Sequence, residues 1–335
     1  MSKSSRREST GSTVRVRGRT RQFISRRRVR RREYYLLERV GSPFRERYLA
    51  FDPLAGPGGD FFLVQVWPSG PATEQQFRVW SRLKDDSFPR VVEWERVNGD
   101  TIVVLNWVEG VSLADYFEHL RAGRRPPVDP GQAVRLIHGL THAVGKLHRK
   151  FRVAHGDIQP ANVILTSHPS RLVLIDFGSS WTAEAAALRL EGDGHHRCYA
   201  APELQTNSTQ VGFHADQFSV SVLLYELLTQ KLPYDGLGGK AGRPEFAERA
   251  KQSLIPPSKV SAACKSLPWS MQLQLDQIVV RGLALNPCDR FPDRHVWLDA
   301  LFEISARMRL PPERSSAERA VTRVIDWFVK PSSSK

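Results

Sequence analysis

The chain has 335 residues, of which 41% are hydrophobic and 25% charged, a balance typical of a globular protein and not of a disordered or fibrous one. No run approaches the roughly 20 apolar residues of a bilayer span, and the N-terminus lacks the apolar stretch of a secretory signal, so we expect a cytoplasmic protein. The three cysteines, Cys198, Cys264 and Cys288, have neither disulfide-like nor zinc-like spacing.

The formal charge of +14 is concentrated in residues 1–33, which hold Lys3 and twelve arginines against two glutamates and so carry +11 of the total. Because like charges repel and few apolar residues separate them, we expect a basic, disordered arm. Without interleaved aromatic residues the arm has no base-reading chemistry. Two interpretations stay open: an arm that binds phosphate, or a solvated tail that touches polyanions nonspecifically.

From Tyr34 the composition changes to alternating apolar segments. Patterns typical of strands cover residues 47–51, 60–67 and 101–106, and Asn98-Gly99 is a hairpin signal. One helix is predicted near residues 73–83. This part, residues 34–107, is therefore expected to be a small β-rich lobe and a hinge.

Helical patterns follow in residues 108–310. Asp129 is a plausible N-cap before Pro130, and residues 216–228 are apolar nearly all round, as in a helix buried in a large domain. Residues 311–335 are predicted to be a tail with a short amphipathic helix. The order of the elements predicts an α+β architecture, a small β lobe followed by a larger α-helical lobe, with a cleft between them.

Five motifs in order carry a resemblance. The segment HGDIQPAN occupies residues 155–162, DFG residues 176–178 and APE residues 201–203, followed by Asp216 and Arg290. In this order and spacing they resemble a eukaryotic-type protein kinase domain of the bacterial Ser/Thr branch, over about residues 33–308. The resemblance implies the bilobal protein kinase-like fold.

The resemblance also implies roles for particular residues. Asp157 would be the catalytic base that receives the proton of the acceptor hydroxyl, and Asn162 and Asp176 would hold Mg²⁺ on the phosphates of ATP. His155 would pack against Phe177. Glu203 and Arg290 would form a buried salt bridge that holds the activation segment.

The small lobe departs from the family where ATP is held. The resemblance places five further residues at the nucleotide: Gly41, Arg45, Gln65, Gln76 and Ile164. Of these, Gln65 stands where the family has its phosphate-pairing Lys, and Gln76 where that Lys has its Glu partner. The glycine-rich loop keeps only its first glycine, Gly41.

Side chains in the roof of the adenine site are also larger than the family's. Arg47 replaces a small Val and Leu63 an Ala, which would shrink or plug the space for the base. Arg45 stands where a with-no-lysine kinase supplies its substitute Lys. Two interpretations of Arg45 stay open: a replacement clamp for phosphate, or an arginine that faces solvent.

The catalytic loop has departures of its own. Gly156 stands where regulated kinases carry an Arg that binds activation-loop phosphate, and Gln159 where Ser/Thr kinases carry a Lys. Activation by a loop phosphate is therefore not expected.

Two functional classes follow, and both are signalling domains that meet a protein partner or protein substrate. The first interpretation is a pseudokinase with weak or no phosphotransfer and weak ATP binding. The alternative is an atypical ATP- and Mg²⁺-dependent Ser/Thr protein kinase that uses Asp157 as base and Arg45 in place of the missing Lys.

Overall fold

The structure is a computed structural model of the whole chain. It describes residues 13–41, 46–56, 59–70, 73, 77, 80–167, 169–177, 180–182, 197–204 and 212–309. Several residues singled out by the sequence lie outside these ranges, among them Arg45 and Gln76. The predicted tail at 311–335 also lies outside them.

Most strands belong to one antiparallel six-stranded sheet of order β3-β4-β5-β6-β8-β7. Smaller sheets are formed by β1-β2, by β10-β13 and by β12-β11-β9. The strands are β1 Thr13–Val16, β2 Arg19–Gln22, β3 Ser25–Val29, β4 Arg32–Arg39, β5 Glu46–Phe51, β6 Phe61–Pro68, β7 Val91–Val97, β8 Asp100–Asn106, β9 Val111–Ser112, β10 Val153–Ala154, β11 Val163–Ser167, β12 Ser170–Leu174 and β13 Trp181–Thr182.

The arginine-rich segment is folded. Residues 13–33 form β1 to β3 and the start of β4, so the prediction of a disordered arm is wrong for this part of it. Val16, Phe23 and Val29 lie between the arginines, and their side chains are only 1%, 6% and 0% exposed. Their burial outweighs charge repulsion because the arginines remain at the surface, where Arg26 lies over the Phe23 ring. Residues 1–12 lie outside the described residues.

The two faces of the large sheet are packed differently. Val29, Tyr34 and Val64 belong to a cluster on one face. On the other face, Leu49 and Phe51 of β5 pack with Val16 and Phe23 from the β1–β2 region, while Leu63 of β6 packs against the core of the large lobe. Arg47 shares this second face, because side chains two apart on a strand point the same way. The face with Arg47 is therefore turned toward the large lobe.

The strand predictions in the small lobe are confirmed to within a residue for β5, β6 and β8. The Asn98-Gly99 turn joins β7 to β8 with both residues at positive φ. Of the predicted helix at 73–83, the described residues 73, 77 and 80 are helical, whereas residues 81–83 lie beyond its end and are not helical.

The large lobe is helical. Its α-helices are α1 Leu113–Arg121, α2 Pro130–Lys146, α3 Phe213–Thr229, α4 Ala247–Ser253, α5 Pro257–Val260, α6 Ala262–Lys265, α7 Trp269–Gly282 and α8 Arg294–Arg309. Leu147–Phe151 continues α2 as a π-helical turn. Within the described residues, no helix combines the length and apolar character needed to cross a membrane.

Two helix predictions in the large lobe are confirmed. Asp129 caps α2 by accepting a hydrogen bond from the Gln132 backbone N–H, with Pro130 in the first turn. Helix α3 is buried on nearly every side. Helices α2 and α7 pack beside it, and α8 packs on α2 and α7, in one continuous hydrophobic core. The catalytic loop at 155–162 follows β10, and the motif at 176–178 follows β12.

Candidate active site

The catalytic loop carries Asp157 in a fixed orientation. The Gln159 side-chain amide donates to both carboxylate oxygens of Asp157, at 2.9 Å each. Asn162 donates to the Asp157 Oδ2 and to its backbone carbonyl, also at 2.9 Å. Two neutral amides therefore hold this half-buried carboxylate. One of them is Gln159, at the position where Ser/Thr kinases carry a lysine.

Asp216, at the start of α3, holds the backbone of the catalytic loop. Its carboxylate accepts hydrogen bonds from the backbone N–H groups of His155 and Gly156, and it lies 2.7 Å from the His148 ring nitrogen. Burial acts to raise the pKa of Asp216, but the bonds from His148 and the Gly156 N–H outweigh it, so the pKa is lowered. Asp216 is thus a buried anion that fixes the backbone beside Asp157.

Phe177 connects the motif at 176–178 with both lobes. Its ring lies 5.0 Å from the His155 ring, edge-on, and it also contacts Phe88 and Trp80. His155 bonds the carbonyl of Ile175 through its ring nitrogen and is fully buried. The packing expected for His155 is therefore observed. Both nitrogens of its ring contact backbone groups, so His155 is not placed for acid–base chemistry.

Asp176 faces a cation from the small lobe. The Arg47 Nη2 lies 2.7 Å from the Asp176 Oδ1, and the two side chains are 13% and 9% exposed. Asp176 itself has a left-handed backbone, with φ of 62°, which aims its carboxylate into the cleft. Arg47 comes from β5, so this ion pair joins the sheet of the small lobe to the strand end of the large lobe.

Gln65 does not take over the role of a lysine. It is 2% exposed, and its side-chain oxygen accepts a hydrogen bond from the Trp67 indole N–H at 3.1 Å. Its cross-strand neighbour on β5 is Arg47. The two residues thus lie side by side. Gln65 is neutral, and the charged Arg47 is the one that contacts a catalytic motif, at Asp176.

The remaining nucleotide positions are only partly described. Gly41 ends the strand region before the loop, with φ of 78°. Ile164 lies on β11, half-buried, opposite Val173 and Ser112. Arg45 and Gln76 lie outside the described residues, so their predicted parts in the site stay predictions.

The donors at this site do not fit Mg²⁺ as they are placed. Asn162 and Asp176 offer the oxygen ligands that Mg²⁺ prefers. The guanidinium of Arg47, however, already lies next to the Asp176 carboxylate, so the arginine charge would repel a Mg²⁺ ion bound there. No step through a metal is derived from this arrangement.

Glu203 and Arg290 form the buried salt bridge that the motifs predicted. Two guanidinium nitrogens of Arg290 donate to the two Glu203 oxygens at 2.6 and 3.0 Å. Arg290 is 0% and Glu203 10% exposed. The carbonyls of Ala284, Leu285 and His214 accept the other Arg290 donors, so the charge is fully satisfied.

The order, spacing and geometry of these motifs agree with one known family. A model of the protein kinase domain matches residues 74–291, more than half of the chain. The chain belongs to the protein kinase domain family. The matched part of the kinase domain begins after β6, so Gly41, Arg47 and Gln65 lie outside it.

The kinase domain has bacterial and human relatives. Serine/threonine-protein kinase PknD of Mycobacterium tuberculosis is 27% identical over 213 residues, which are 63% of this chain and 29% of PknD. Serine/threonine-protein kinase PknE of the same organism is 26% identical over 219 residues, 65% of this chain and 35% of PknE. Human ribosomal protein S6 kinase alpha-4 is 29% identical over 198 residues, 57% of this chain and 25% of that protein. The chain thus spans a third or less of the length of most of these relatives.

A solved structure agrees with the kinase fold. The crystal structure of the Mycobacterium tuberculosis PknI kinase domain superposes with a TM-score of 0.56 at 24% identity, covering 81% of this chain and 96% of that one. The bilobal kinase fold is therefore established, with a β-rich first part and a helical second part. Protein kinases in general use ATP and Mg²⁺ and act on proteins.

Sequence reasoning missed two side chains that support the kinase domain. His148 bonds Asp216, and Glu226, a carboxylate with 0% exposure, accepts a hydrogen bond from the Tyr199 hydroxyl at 2.6 Å and pairs with Arg121. Burial raises the pKa of Glu226 despite these partners. An ionisable residue inside an otherwise apolar helix was the available signal for Glu226.

Proposed function

We propose that this protein is a pseudokinase: a kinase-fold signalling domain that binds protein partners and transfers phosphate weakly or not at all. The Arg47–Asp176 ion pair carries this proposal. It sets the protein's own cation against the carboxylate that the family uses for the metal. A metal-bound nucleotide and the Arg47 side chain then compete for the Asp176 carboxylate.

The charges around the cleft support the same conclusion. Arg47 forms an ion pair with Asp176, and the position of the phosphate-pairing lysine is occupied by the neutral Gln65. A neutral amide such as Gln65 contributes about 1 kcal/mol per hydrogen bond against about 1.5–3 for a charged donor, and Gln65 is already bonded to Trp67. The polyphosphate of ATP therefore meets too little positive charge here, and we expect ATP binding to be weak.

The folded arginine-rich strands give the protein a second feature outside the cleft. Eleven arginines stand against two glutamates between residues 13 and 39. Nonspecific contact with polyanions through the arginines of 1–33 stays part of the proposal, now from a fixed surface for residues 13–33. Such contact would weaken strongly with salt.

One observation favours a second candidate, an atypical Ser/Thr protein kinase with Asp157 as base. Gln159 and Asn162 hold the Asp157 carboxylate in a single orientation, which a residue without catalytic duty would not need. In this candidate Arg47 leaves Asp176 when substrate binds, and Arg45 supplies the positive charge that the strand lysine gives in relatives.

A thermal shift experiment with the full chain separates the two candidates. A ligand that binds the native state stabilises it by RT ln(1 + [L]/Kd), so for weak binding we expect millimolar ATP with Mg²⁺ to leave the melting temperature of the native chain unchanged. The variant R47V/Q65K, which clears Asp176 and restores a cation, is expected to gain a Mg²⁺-dependent shift. Arg82→Val, the loss of an exposed arginine in the same lobe, is the matched control and should gain none.

Phosphotransfer to casein from radiolabelled ATP completes the test. Transfer by the native chain that Asp157→Ala abolishes would reject the pseudokinase proposal in favour of the second candidate. If phosphotransfer persists in Asp157→Ala, it comes from a contaminating kinase and is not counted as activity of this chain. Failure of R47V/Q65K to bind ATP would show that the Arg47–Asp176 pair is not what closes the site.

A further inference from the structure

A concave site lies on the large lobe, away from the cleft. It is a cavity of ≈ 330 Å³ lined by side chains from three elements that meet there. The end of the α2 region contributes three of them, the start of α3 two and the approach to α8 the rest. We call it the arginine pocket; its lining is His148, Arg149, Arg152, Phe213, His214, Pro292, Asp293 and Arg294.

The charge in the arginine pocket is strongly positive. Arg149, Arg152 and Arg294 come from two different elements, and the side chains of Arg149 and Arg152 form no ion pair or hydrogen bond with any described residue. The one acidic side chain of the lining, Asp293, accepts hydrogen bonds from the backbone N–H groups of His295 and Val296. Asp293 therefore serves as the cap of α8 and remains an anion beside Arg294, so three arginines against one carboxylate leave the lining positively charged.

The other acidic group nearby is also engaged. Asp216 lies behind His148 and is 1% exposed, with its oxygens taken by His148 and by the backbone of residues 155 and 156. The field of the patch also reaches His142 on α2. Burial lowers the pKa of His142, and Lys146, Arg149 and Arg294 lower it further while Asp85 opposes them.

The floor of the arginine pocket is apolar and rigid. The Phe213 ring is half-buried, edge-on to His148 at 5.5 Å and to Trp297 at 6.0 Å. Pro292 forms the facing wall. The stem of Arg294 lies on Gly145 of α2, where an added Cβ would come within 2.7 Å of its Cδ. Arg294 is thus held against the helix, while the exposed Arg149 and Arg152 are free to close on a ligand.

The start of α3 adds to the attraction for an anion. Phe213 and His214 are its first residues, and the residue before them is Gly212, which has no side chain with which to cap the helix. The N-terminal end of a helix of this length carries a partial positive charge. It therefore adds to the charge of the three arginines at the same cavity.

We propose that the arginine pocket receives a phosphorylated side chain of a partner protein. Arginine clusters recognise phosphate because a guanidinium gives it two parallel hydrogen bonds, and three arginines suit a dianion better than a single carboxylate. The cavity, of ≈ 330 Å³, has room for a phosphorylated side chain and the peptide atoms next to it, and its apolar floor can pack against their carbon atoms. Its shape therefore favours a peptide over a nucleic acid strand or a membrane. The pocket does not depend on the state of the cleft, so this proposal stands apart from the proposed function.

Fluorescence anisotropy with the full chain tests the proposal. The probes are three fluorescein-labelled degenerate peptide libraries that differ only at the central residue, which is phosphoserine, serine or glutamate. We expect the phosphoserine library to bind at least tenfold more tightly than the serine library, with glutamate between them, because each charge-assisted hydrogen bond contributes about tenfold in affinity.

The variant R149Q/R152Q is expected to weaken binding of the phosphoserine library by about tenfold or more. Arg135→Gln is the matched control, because Arg135 is an exposed arginine at the other end of α2. Its affinity should stay within about twofold of the native chain, since long-range charge effects are largely screened. Both variants change exposed side chains, so native melting temperatures are expected and are measured first.

Four outcomes would overturn the proposal. They are the absence of binding to the phosphoserine library, equal binding to the serine library, equal loss in Arg135→Gln, and binding that RNA or phosphatidylserine vesicles displace but free phosphoserine peptide does not. The last outcome would show that the arginine pocket binds another class of polyanion.

Discussion

The ion pair between Arg47 and Asp176 links the two lobes and is open to a double-mutant cycle. We consider Arg47→Met, Asp176→Asn and the double variant. Methionine keeps the length and apolar body of the arginine stem without its charge. Asparagine is chosen at position 176 because its φ of 62° is left-handed, a region that Asn enters more readily than most other residues.

The magnitude follows from the burial and distance of the pair. Charge centres about 4 Å apart interact by about 4 kcal/mol at an effective dielectric constant of about 20. The nitrogen and oxygen are 2.7 Å apart and the side chains 13% and 9% exposed, so either single variant removes a close, nearly buried ion pair and leaves the remaining charge without this partner. In comparable pairs this costs about 3–5 kcal/mol, and the remaining solvent access at this site favours the lower end. The double variant removes both charges and leaves neither one uncompensated, so we expect it to lose less than either single variant.

Urea unfolding followed by tryptophan fluorescence measures the four free energies of unfolding. We expect a coupling energy of about 3 kcal/mol or more and, for each single variant, a fall in melting temperature of about 6 °C or more. Arg82→Met is the control for removal of an exposed arginine from the small lobe. Additive losses, with a coupling energy near zero, would show that the pair does not hold the lobes together and would refute the reasoning.

Three further predictions concern other parts of the fold. Glu203→Ala should lower the free energy of unfolding by about 3–5 kcal/mol in urea melts because it strands the buried Arg290 charge; an unchanged melt would contradict the bridge. Phe23→Ala should cost about 3 kcal/mol, since its side chain is 6% exposed, whereas a disordered arm would show no effect. The pKa of Asp85 is lowered to about 2: burial acts to raise it, and the hydrogen bond from Lys146 is the largest of the effects that lower it. Because a lowered pKa gives stability that is present above about pH 4 and lost as the pH falls toward 2, Asp85→Asn should destabilise at pH 7 and differ progressively less from the native chain in melts at pH 4 and 3.

The large lobe could be predicted because its signals are local. The loop at 155–162 and the motif at 176–178 have fixed spacings, and the cap at Asp129 is set by the residues directly after it. Even the long-range bridge between Glu203 and Arg290 could be named, since each end lies in a motif of its own.

The arginine-rich segment was misjudged because charge was weighed before burial. Val14 and Val16 alternate with arginines, and Phe23 and Val29 follow, which is a strand-like pattern with one apolar side. Each buried apolar side chain contributes about 1.5–3 kcal/mol, and the arginines lose little because they stay hydrated. Repulsion among exposed charges is screened by solvent and cannot match this sum.

Arg47 was recognised as too large for the adenine roof, but its partner could not be found from the sequence. Arg47 and Asp176 are separated by more than a hundred residues and lie in different lobes. Their contact depends on how the two lobes close and on the left-handed backbone at Asp176, neither of which leaves a pattern in the chain.

The strands at residues 13–39 also change what a protease would see. Trypsin cuts after arginine, and the eleven arginines of this segment would make it the first part of the chain to be digested if it were unfolded. Arg17, Arg30 and Arg31 lie in the turns, but the other eight arginines are in β1 to β4, where their peptide bonds become accessible only when the hairpins open. The rate of tryptic cleavage within the strands is therefore a measure of how often the outer strands of the small lobe detach, and of whether a ligand or partner keeps them in place.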